Sequence, residues 1–452
     1  MTNDRFPDGG EQPDPGREFA EMLKAFGIDF NPDGPIDLGS LLSQLQSRMG
    51  AMGMFAPGGG SASGINWEHT RHAARQVTAT IGPDPTPLAG DQRRIADAER
   101  LAELWLDGAC DFPQVPSSAV AWSRAEWVER TMSSWETVVE PIVSAIARAM
   151  GDLMTPEQET PPELAGMSAM LQPMLTSMAG SMYGMQFAHA LGQLAGRVVS
   201  GTEIGLQLLS TPQVAVLPTN VAAFAEGLDQ SIDDVTLYLT LREAARQRLF
   251  NAVGWLGPQM HALLGHYARE ISIDVNALES AVDVDDLTQI NAEKLAEIAQ
   301  ALQGKLFEPV RTDVQLGVLE RLETLLALVE GWVDEVVAQA SGPWMTSASA
   351  LAETVRRRRG TGGPAEAVFG ALVGLELRPR RVRDAANLWA ALTKDRGMVG
   401  RDAAWHHPDL VPTAADLDDP LGYVSGDHTS PASDELDAEL KSLLEGEGRG
   451  DA

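Results

Sequence analysis

A helical periodicity that recurs along most of the chain is the feature that most constrains its fold. A long example is Asp313–Gln339, in which apolar side chains recur every three or four residues. The same spacing predicts helices at Asn66–Ala79, Gly90–Asp107 and Ala119–Met150. Strand candidates are short and few, namely Val214–Leu217 and Ile271–Val275. The sequence therefore predicts a mainly α fold, a helical body with very few short strands.

The charge of the chain excludes several classes of partner. It carries 34 basic and 64 acidic residues, a net charge of −30, which argues against general nucleic-acid binding and against adhesion to anionic lipid. Cys110 is the only cysteine, so no intramolecular disulfide forms. The sequence has no apolar run of eighteen residues and no signal-peptide core. We expect a cytoplasmic protein whose partner is an unidentified protein or peptide, with no membrane contact and nucleic acid disfavoured.

Composition changes divide the chain into three parts. Residues 1–65 are rich in Pro, Gly and Asp around two short helical patterns, and are expected to form a flexible arm. Residues 66–426 are expected to form the helical body. Residues 427–452 form an acidic tail, in which a small amphipathic helix around Leu436–Leu444 could dock on the body or on a partner.

Three groups of side chains in the body predict packing. Trp122, Trp127 and Trp135 are expected in the core because they bury large apolar areas. Five methionines share one helical face, which favours adaptable core filling over a partner surface: Met170, Met174, Met178, Met182 and Met185. The spacing of Gly180 with Gly184, and of Gly192 with Gly196, predicts a close approach between helices.

The helix predicted at 233–252 contains a pattern of chemical interest. In zinc peptidases the sequence His-Glu-x-x-His places two imidazoles one helical turn apart, where they hold Zn²⁺ while the glutamate activates a water molecule. Here Arg242 and Arg246 stand at the histidine positions and Glu243 at the base position. A guanidinium is always protonated and has no lone pair to donate, so neither arginine can be a zinc ligand.

A second helix, 313–339, carries the acidic residues that such a site would need. In the gluzincin class of zinc peptidases the third ligand is a glutamate on a later helix, often within Glu-x-x-x-Asp, where the aspartate orients a ligand histidine. Glu330 and Asp334 match that spacing and lie one turn apart. The sequence thus has glutamates at the base position and the third-ligand position of such a site, but arginines at its two histidine positions.

Six segments occur in this order along the chain: SGTEIGL (200–206), LREAARQRLF (241–250), LLALVEGWVDEVV (325–337), ETVRRRRGTGGPAE (353–366), GLELRPRRVRDAANLW (374–389) and HPDLVPTAADLDDP (407–420). In these segments the chain resembles the actinobacterial family of zincin-like proteins labelled zinc-dependent metalloproteases or hydrolases. The resemblance implies a zincin-like body with metal ligands at the positions of Arg242, Arg246 and Glu330 and a general base at Glu243. The motif is degenerate, because two of those ligands are arginines.

Charge counting suggests what replaces the metal. Arg242 and Arg246 balance Glu243 and Glu330, which predicts an Arg–Glu cluster with a bidentate ion pair, no zinc and no other cofactor. In one alternative the four residues lie apart on solvated faces. In another, the pair His266 and Glu270, one turn apart, completes a displaced metal site with a third group, and zinc is the cofactor.

Two functions follow as expectations. The first is a family member without catalytic zinc that acts as a non-catalytic binding or scaffold protein. The alternative is an active zinc metallohydrolase or peptidase, with ligands completed from elsewhere in the chain.

The region 356–383 holds eight arginines. They could contact phosphate or nucleic acid, but in so acidic a chain we favour pairing with its own acidic surface or tail.

Overall fold

Helices dominate the structure, a computed structural model that describes residues 63–154, 180–270, 312–360 and 381–426, with the backbone alone at 146–154. All of these residues belong to one unit, Ser61–Ala452. Most of the predicted arm and the whole predicted tail lie outside the described residues. Ser63 and Ile65, at the end of the predicted arm, are buried. Within the described ranges, no helix is both long enough and apolar enough to span a membrane.

The first part of the body contains three helices and a strand. Helix α1 is Trp67–Ile81, α2 is Ala89–Leu106, β1 is Val120–Ala121 and α3 is Arg124–Met154. The prediction of one helix over Ala119–Met150 is wrong at its start. The amide of Val120 donates to the carbonyl of Val214 at 2.9 Å, and β1 pairs in parallel with β2. These residues are therefore extended, and helix α3 begins only at Arg124.

Helix α4, covering 180–195, packs closely against α1. A Cβ added to Gly192 would lie 2.5 Å from the Cβ of Val77, and one added to Gly184 would lie 2.8 Å from Oγ1 of Thr70. The predicted close approach through glycines is confirmed. Met182 is exposed, and so is Met185, so the prediction that the methionine face fills the core is wrong for both of these residues. The other three methionines of that face lie outside the described residues.

The middle of the chain provides the central helix. Strand β2 is Ala215–Val216, α5 is Pro218–Ala225, α6 is Ile232–Ala252 and α7 is Leu256–Arg269. Strand β2 lies inside the predicted Val214–Leu217, whereas Ile271–Val275 is outside the described residues. From Val235 to Phe250, almost every residue of α6 is buried.

The side chain of Ser231 caps α6 by accepting a hydrogen bond from the amide of Asp234 at 3.0 Å. Asp233 and Asp234 lie in the first turn, where their negative charges interact favourably with the helix dipole.

The last part of the body closes over α6. Helix α8 is Asp313–Ser341, α9 is Ala348–Gly360, α10 is Val382–Asp402, α11 is Ala414–Asp418 and α12 is Pro420–Ser425, with 3₁₀ turns at Ala403–Trp405 and Pro408–Leu410. Helix α8 packs against α6, α7 and α10. At Gly331 the backbone of α10 comes so near that an added Cβ would lie 2.6 Å from that of Ala385.

Large aromatic side chains fill the space between these helices. Trp127, Trp135, Trp332, Trp389 and Trp405 are all fully buried. The prediction that Trp122, Trp127 and Trp135 belong to the core is confirmed. The core therefore lies on both sides of α6 and α8, and these two helices hold the candidate site between them.

Candidate functional site

Helices α6 and α8 bring the arginines and the carboxylates into direct contact. Arg246 binds Glu330 through two parallel hydrogen bonds, from Nε to Oε1 at 2.6 Å and from Nη2 to Oε2 at 3.0 Å. Nη2 of Arg242 lies 2.7 Å from Oδ1 of Asp334 and 3.2 Å from Oε2 of Glu330. These side chains are buried or nearly so, rather than spread over solvated faces. The arrangement is a bidentate Arg–Glu pair extended by a second Arg–Asp pair.

A third arginine, which the sequence analysis did not place here, completes the cluster. Arg359, in the last turn of α9, contacts Glu330, and its Nη1 lies 3.4 Å from Oδ1 of Asp334. The charges of the predicted site residues could have indicated a third arginine. Once Asp334 is counted, three carboxylates face only two arginines, so charge balance requires one more cation.

The electrostatic cluster thus contains six side chains: Arg242, Arg246, Arg359, Glu243, Glu330 and Asp334. Burial by itself would raise the pKa of Glu330, but Arg246, Arg359 and Arg242 together lower it to about 2. The pKa of Asp334 is also lowered, because Arg242 and Arg359 outweigh the effect of its burial. Burial would lower the pKa of Arg242, yet Asp334 and Glu330 raise it. The ion pairs of Glu330 and Asp334 are therefore fully charged at neutral pH.

Glu243 is held in a separate hydrogen-bonded cradle. Its Oε2 accepts a hydrogen bond from the hydroxyl of Ser200 at 2.7 Å. Its Oε1 accepts from the hydroxyl of Thr202 at 2.9 Å, from the amide of Thr202 at 3.1 Å and from Nε2 of Gln247 at 3.0 Å. Nη1 of Arg246 lies 3.6 Å from Oε2. Both oxygens of this fully buried carboxyl group are therefore occupied by protein donors.

The cradle explains why the segment 200–206 accompanies the helix motif. Gly201 lies between the two hydroxyl residues, and a Cβ there would come within 3.1 Å of Oε1 of Glu243. Burial raises the pKa of Glu243, whereas Arg246 and the donors of Gln247, Ser200 and Thr202 oppose that rise. The segment 200–206 carries part of the family resemblance, but the contact between its side chains and Glu243 was not predicted from the sequence.

The side chains of the cluster do not fit a zinc ion. Zn²⁺ requires lone pairs from imidazole, thiolate or carboxylate, and guanidinium groups have none. In the parts of the chain that the structure describes, no group of three His, Cys, Asp or Glu side chains could hold a metal. His266 is in the last turn of α7 and Glu270 follows it, but no third ligand joins this pair there.

Two other buried arginines, also missed by the sequence analysis, fix neighbouring elements. Nε of Arg248, on α6, donates to Oε2 of Glu103 at 2.8 Å, and its Nη1 donates to the carbonyl of Phe112 at 3.0 Å. Nε of Arg401 donates to Oδ1 of Asp402 at 2.7 Å, and its guanidinium lies over the ring of Trp332, 5.6 Å from the ring centroid. Both join distant parts of the chain and contribute to the stability of the body.

The arginine-rich region pairs with acidic groups of the same chain, as we favoured. Nε of Arg357 donates to Glu353 at 2.9 Å, and Nη1 of Arg358 lies 3.1 Å from Oε1 of Glu203. Nη2 of Arg381 lies 2.6 Å from Oδ1 of Asp418. The prediction of intramolecular pairing is confirmed for these three arginines, while Arg378 and Arg380 lie outside the described residues.

Comparisons with known proteins agree with this architecture. Residues 65–424 match the model of a family described as zincin-like metallopeptidase. No curated protein matches the sequence. A solved structure, described as a putative hydrolase with a novel fold from Chloroflexus aurantiacus, is 19% identical, with 81% of this chain and 99% of that chain covered and a TM-score of 0.54. At that identity, the likeness shows a shared fold and nothing further.

Proposed function

Since this chain belongs to the zincin-like metallopeptidase family, we propose that it is a member without catalytic zinc. In this proposal an arginine–carboxylate cluster stands where relatives with the full motif would hold the metal. The protein then acts as a non-catalytic binding or scaffold protein. The observation that carries the proposal is the bidentate contact of Arg246 with Glu330, at 2.6 and 3.0 Å.

Charge supports the absence of a metal ion. The three guanidiniums of Arg242, Arg246 and Arg359 already balance three carboxyl groups, so a divalent cation would add two uncompensated positive charges to a buried site. At short range in a protein interior, such repulsion amounts to several kcal/mol. Binding zinc would also require moving Arg246 from the carboxylate that would serve as the third ligand.

The surroundings of Glu243 support the absence of catalysis. A general base must reach the proton it removes, directly or through one water molecule. Both oxygens of Glu243 already accept hydrogen bonds from Ser200, Thr202 and Gln247. Breaking these hydrogen bonds would leave buried donors unsatisfied, at a cost of about 1–3 kcal/mol for each group. Glu243 is thus suited to fixing the segment 200–206 against α6.

Zinc content tests the proposal directly. Plasma emission on the purified protein is expected to give far less than one zinc ion per chain. A variant with Arg242→His, Arg246→His and Arg359→Gln should gain about one zinc ion per chain, because its ligand set becomes two imidazoles and a carboxylate. The matched control replaces the same three arginines with glutamine and should gain none.

Two results would overturn the proposal. Tightly held stoichiometric zinc in the unmodified protein, lost on Glu330→Gln, would show that a metal centre exists. Chelator-sensitive peptidase activity abolished by Glu243→Gln would show that the alternative, an active metallohydrolase, is correct.

A further inference from the structure

Two consecutive arginines of α9 dock into two acidic subsites on the rest of the body. Subsite A consists of Glu203, the carbonyl of Arg197 and the ring of Phe224. Arg358 occupies it, with Nη1 at 3.1 Å from Oε1 of Glu203 and its guanidinium 5.4 Å from the centroid of the Phe224 ring. A hydrogen bond from Nη2 of Arg358 to the carbonyl of Arg197 completes this contact.

Subsite B consists of the carboxylates of Glu330 and Asp334, and Arg359 occupies it. These carboxylates are shared with the buried arginines of α6, but Arg359 is more exposed than Arg242 and Arg246. Its side chain is 19% exposed and that of Asp334 is 15% exposed. In subsite A, Arg358 is 27% exposed and Glu203 is 14% exposed. Both subsites therefore lie at the edge of the buried core, within reach of solvent.

In the part of the chain that the structure describes, a small set of contacts attaches α9 to the body. Its buried side chains are Leu351 and Val355, and the half-buried Ala348 and Ala352 also pack against the core. Arg356 and Arg357 pair with Glu353 of the same helix. These apolar contacts and the guanidinium groups of Arg358 and Arg359 dock α9 on subsites A and B.

The charge of the subsites favours a replacement cation when α9 leaves. Without Arg359, two arginines face three carboxyl groups in the cluster, and without Arg358, Glu203 has lost its ion-pair partner. Burial lowers the pKa of Arg359, and Arg242 and Arg246 lower it further, although Glu330 and Asp334 oppose them. The pKa values of Arg242 and Arg246 are raised instead. Arg359 is therefore the least stabilised cation of the three.

We infer that subsites A and B form a guanidinium-binding surface, which α9 covers in the free protein and which a partner segment with two consecutive arginines can occupy in its place. This inference rests on the proposed non-catalytic function and names the chemistry of its partner, a basic peptide. The net charge of −30 attracts such a segment. Paired carboxylate oxygens and an aromatic face select the planar guanidinium over the ammonium group of lysine.

Titration calorimetry with acetyl-Ala-Arg-Arg-Ala-amide tests the inference. The variant Arg358→Ala/Arg359→Ala frees both subsites and should bind the peptide at least tenfold more tightly than the unmodified protein. The matched variant Arg356→Ala/Arg357→Ala loses the same charge from the same helix and should bind like the unmodified protein. The corresponding Lys-Lys peptide should bind the first variant at least tenfold more weakly, and adding Glu203→Gln should weaken binding of the Arg-Arg peptide.

Equal affinity for the two peptides, or equal affinity of the two double variants, would overturn the inference. If the first variant does not fold, hydrogen exchange of the unmodified protein decides. Excess Arg-Arg peptide should accelerate exchange at the amides of α9, and unchanged exchange would overturn the inference. Zinc content measured on the same samples separates the two proposals. A zinc-free protein that does not bind the peptide refutes this inference alone, whereas tightly bound zinc refutes the proposed function.

Discussion

Replacing Glu330 with glutamine should be among the most damaging single changes in this protein. The substitution keeps the size of the side chain but removes the charge that Arg242, Arg246 and Arg359 share. The fall in the pKa of Glu330 from 4.5 to about 2 corresponds to about 3–4 kcal/mol of folding free energy at neutral pH, at ~1.4 kcal/mol per pKa unit. Removal of one partner from a buried ion pair typically costs about 3–5 kcal/mol, which agrees with this figure.

Urea unfolding at pH 7, followed by tryptophan fluorescence, measures this loss. Glu129→Gln is the matched control, since Glu129 pairs with Arg71 at 3.4 Å on the exposed surface. A surface pair of this kind contributes about 0–1 kcal/mol. A loss of unfolding free energy that is no larger for Glu330→Gln than for the control would refute the energy assigned to the buried ion pairs.

The dependence on pH provides a second check with a defined sign. The pKa of Glu330 is lowered in the folded protein, so its contribution is complete above pH 4.5 and is lost as the pH falls towards 2. The difference in unfolding free energy between the unmodified protein and Glu330→Gln should therefore narrow as the pH is lowered below 4.5. A difference that stays constant down to pH 3 would contradict the assignment of this energy to the ionised carboxylate.

Two further changes test the packing and the capping of helices. Gly192→Ala should destabilise the body by about 1–3 kcal/mol, because the new methyl group would lie 2.5 Å from the Cβ of Val77. The control Gly317→Ala lies in open space on α8 and should instead stabilise the body by about 0.5–1 kcal/mol. Equal midpoints of thermal unfolding for the two variants would refute the close approach of α4 to α1. Ser231→Ala should lower the free energy of unfolding by about 1 kcal/mol, because it removes the cap on α6, whereas Ser231→Thr should retain most of that stability. Equal urea midpoints for these two variants would refute the assigned cap.

Helices with one apolar stripe could be predicted well from the sequence. The predicted Asp313–Gln339 differs from α8 by only two residues at one end, because apolar side chains recur at helical spacing along the sequence, although every residue from Leu326 to Val333 is buried in the folded protein. Strand β1 could not be predicted in this way. Val120 and Ala121 are extended because they pair with Ala215 and Val216, far away along the chain, and no local pattern reports such a partner.

The candidate site was predictable to the extent that its residues share a helical face. Arg242 with Arg246, and Glu330 with Asp334, are each one turn apart, so each pair could be placed together before the helices were docked. Arg359 could not be placed, because a run of four arginines does not indicate which guanidinium turns inward. The cradle of Glu243 escaped prediction for a similar reason, since Ser200 and Thr202 precede it by more than forty residues.

The burial of α6 has a consequence for how the protein unfolds. This helix carries Arg242, Arg246 and Arg248 into the interior, and their partners are on other helices: Glu330 is 88 residues from Arg242, and Glu103 is 145 residues from Arg248. A half-assembled body in which α6 has packed against only one of these helices would hold cations without counter-ions, at several kcal/mol each. Such intermediates are penalised, so the helices around α6 are expected to melt together in a single cooperative transition.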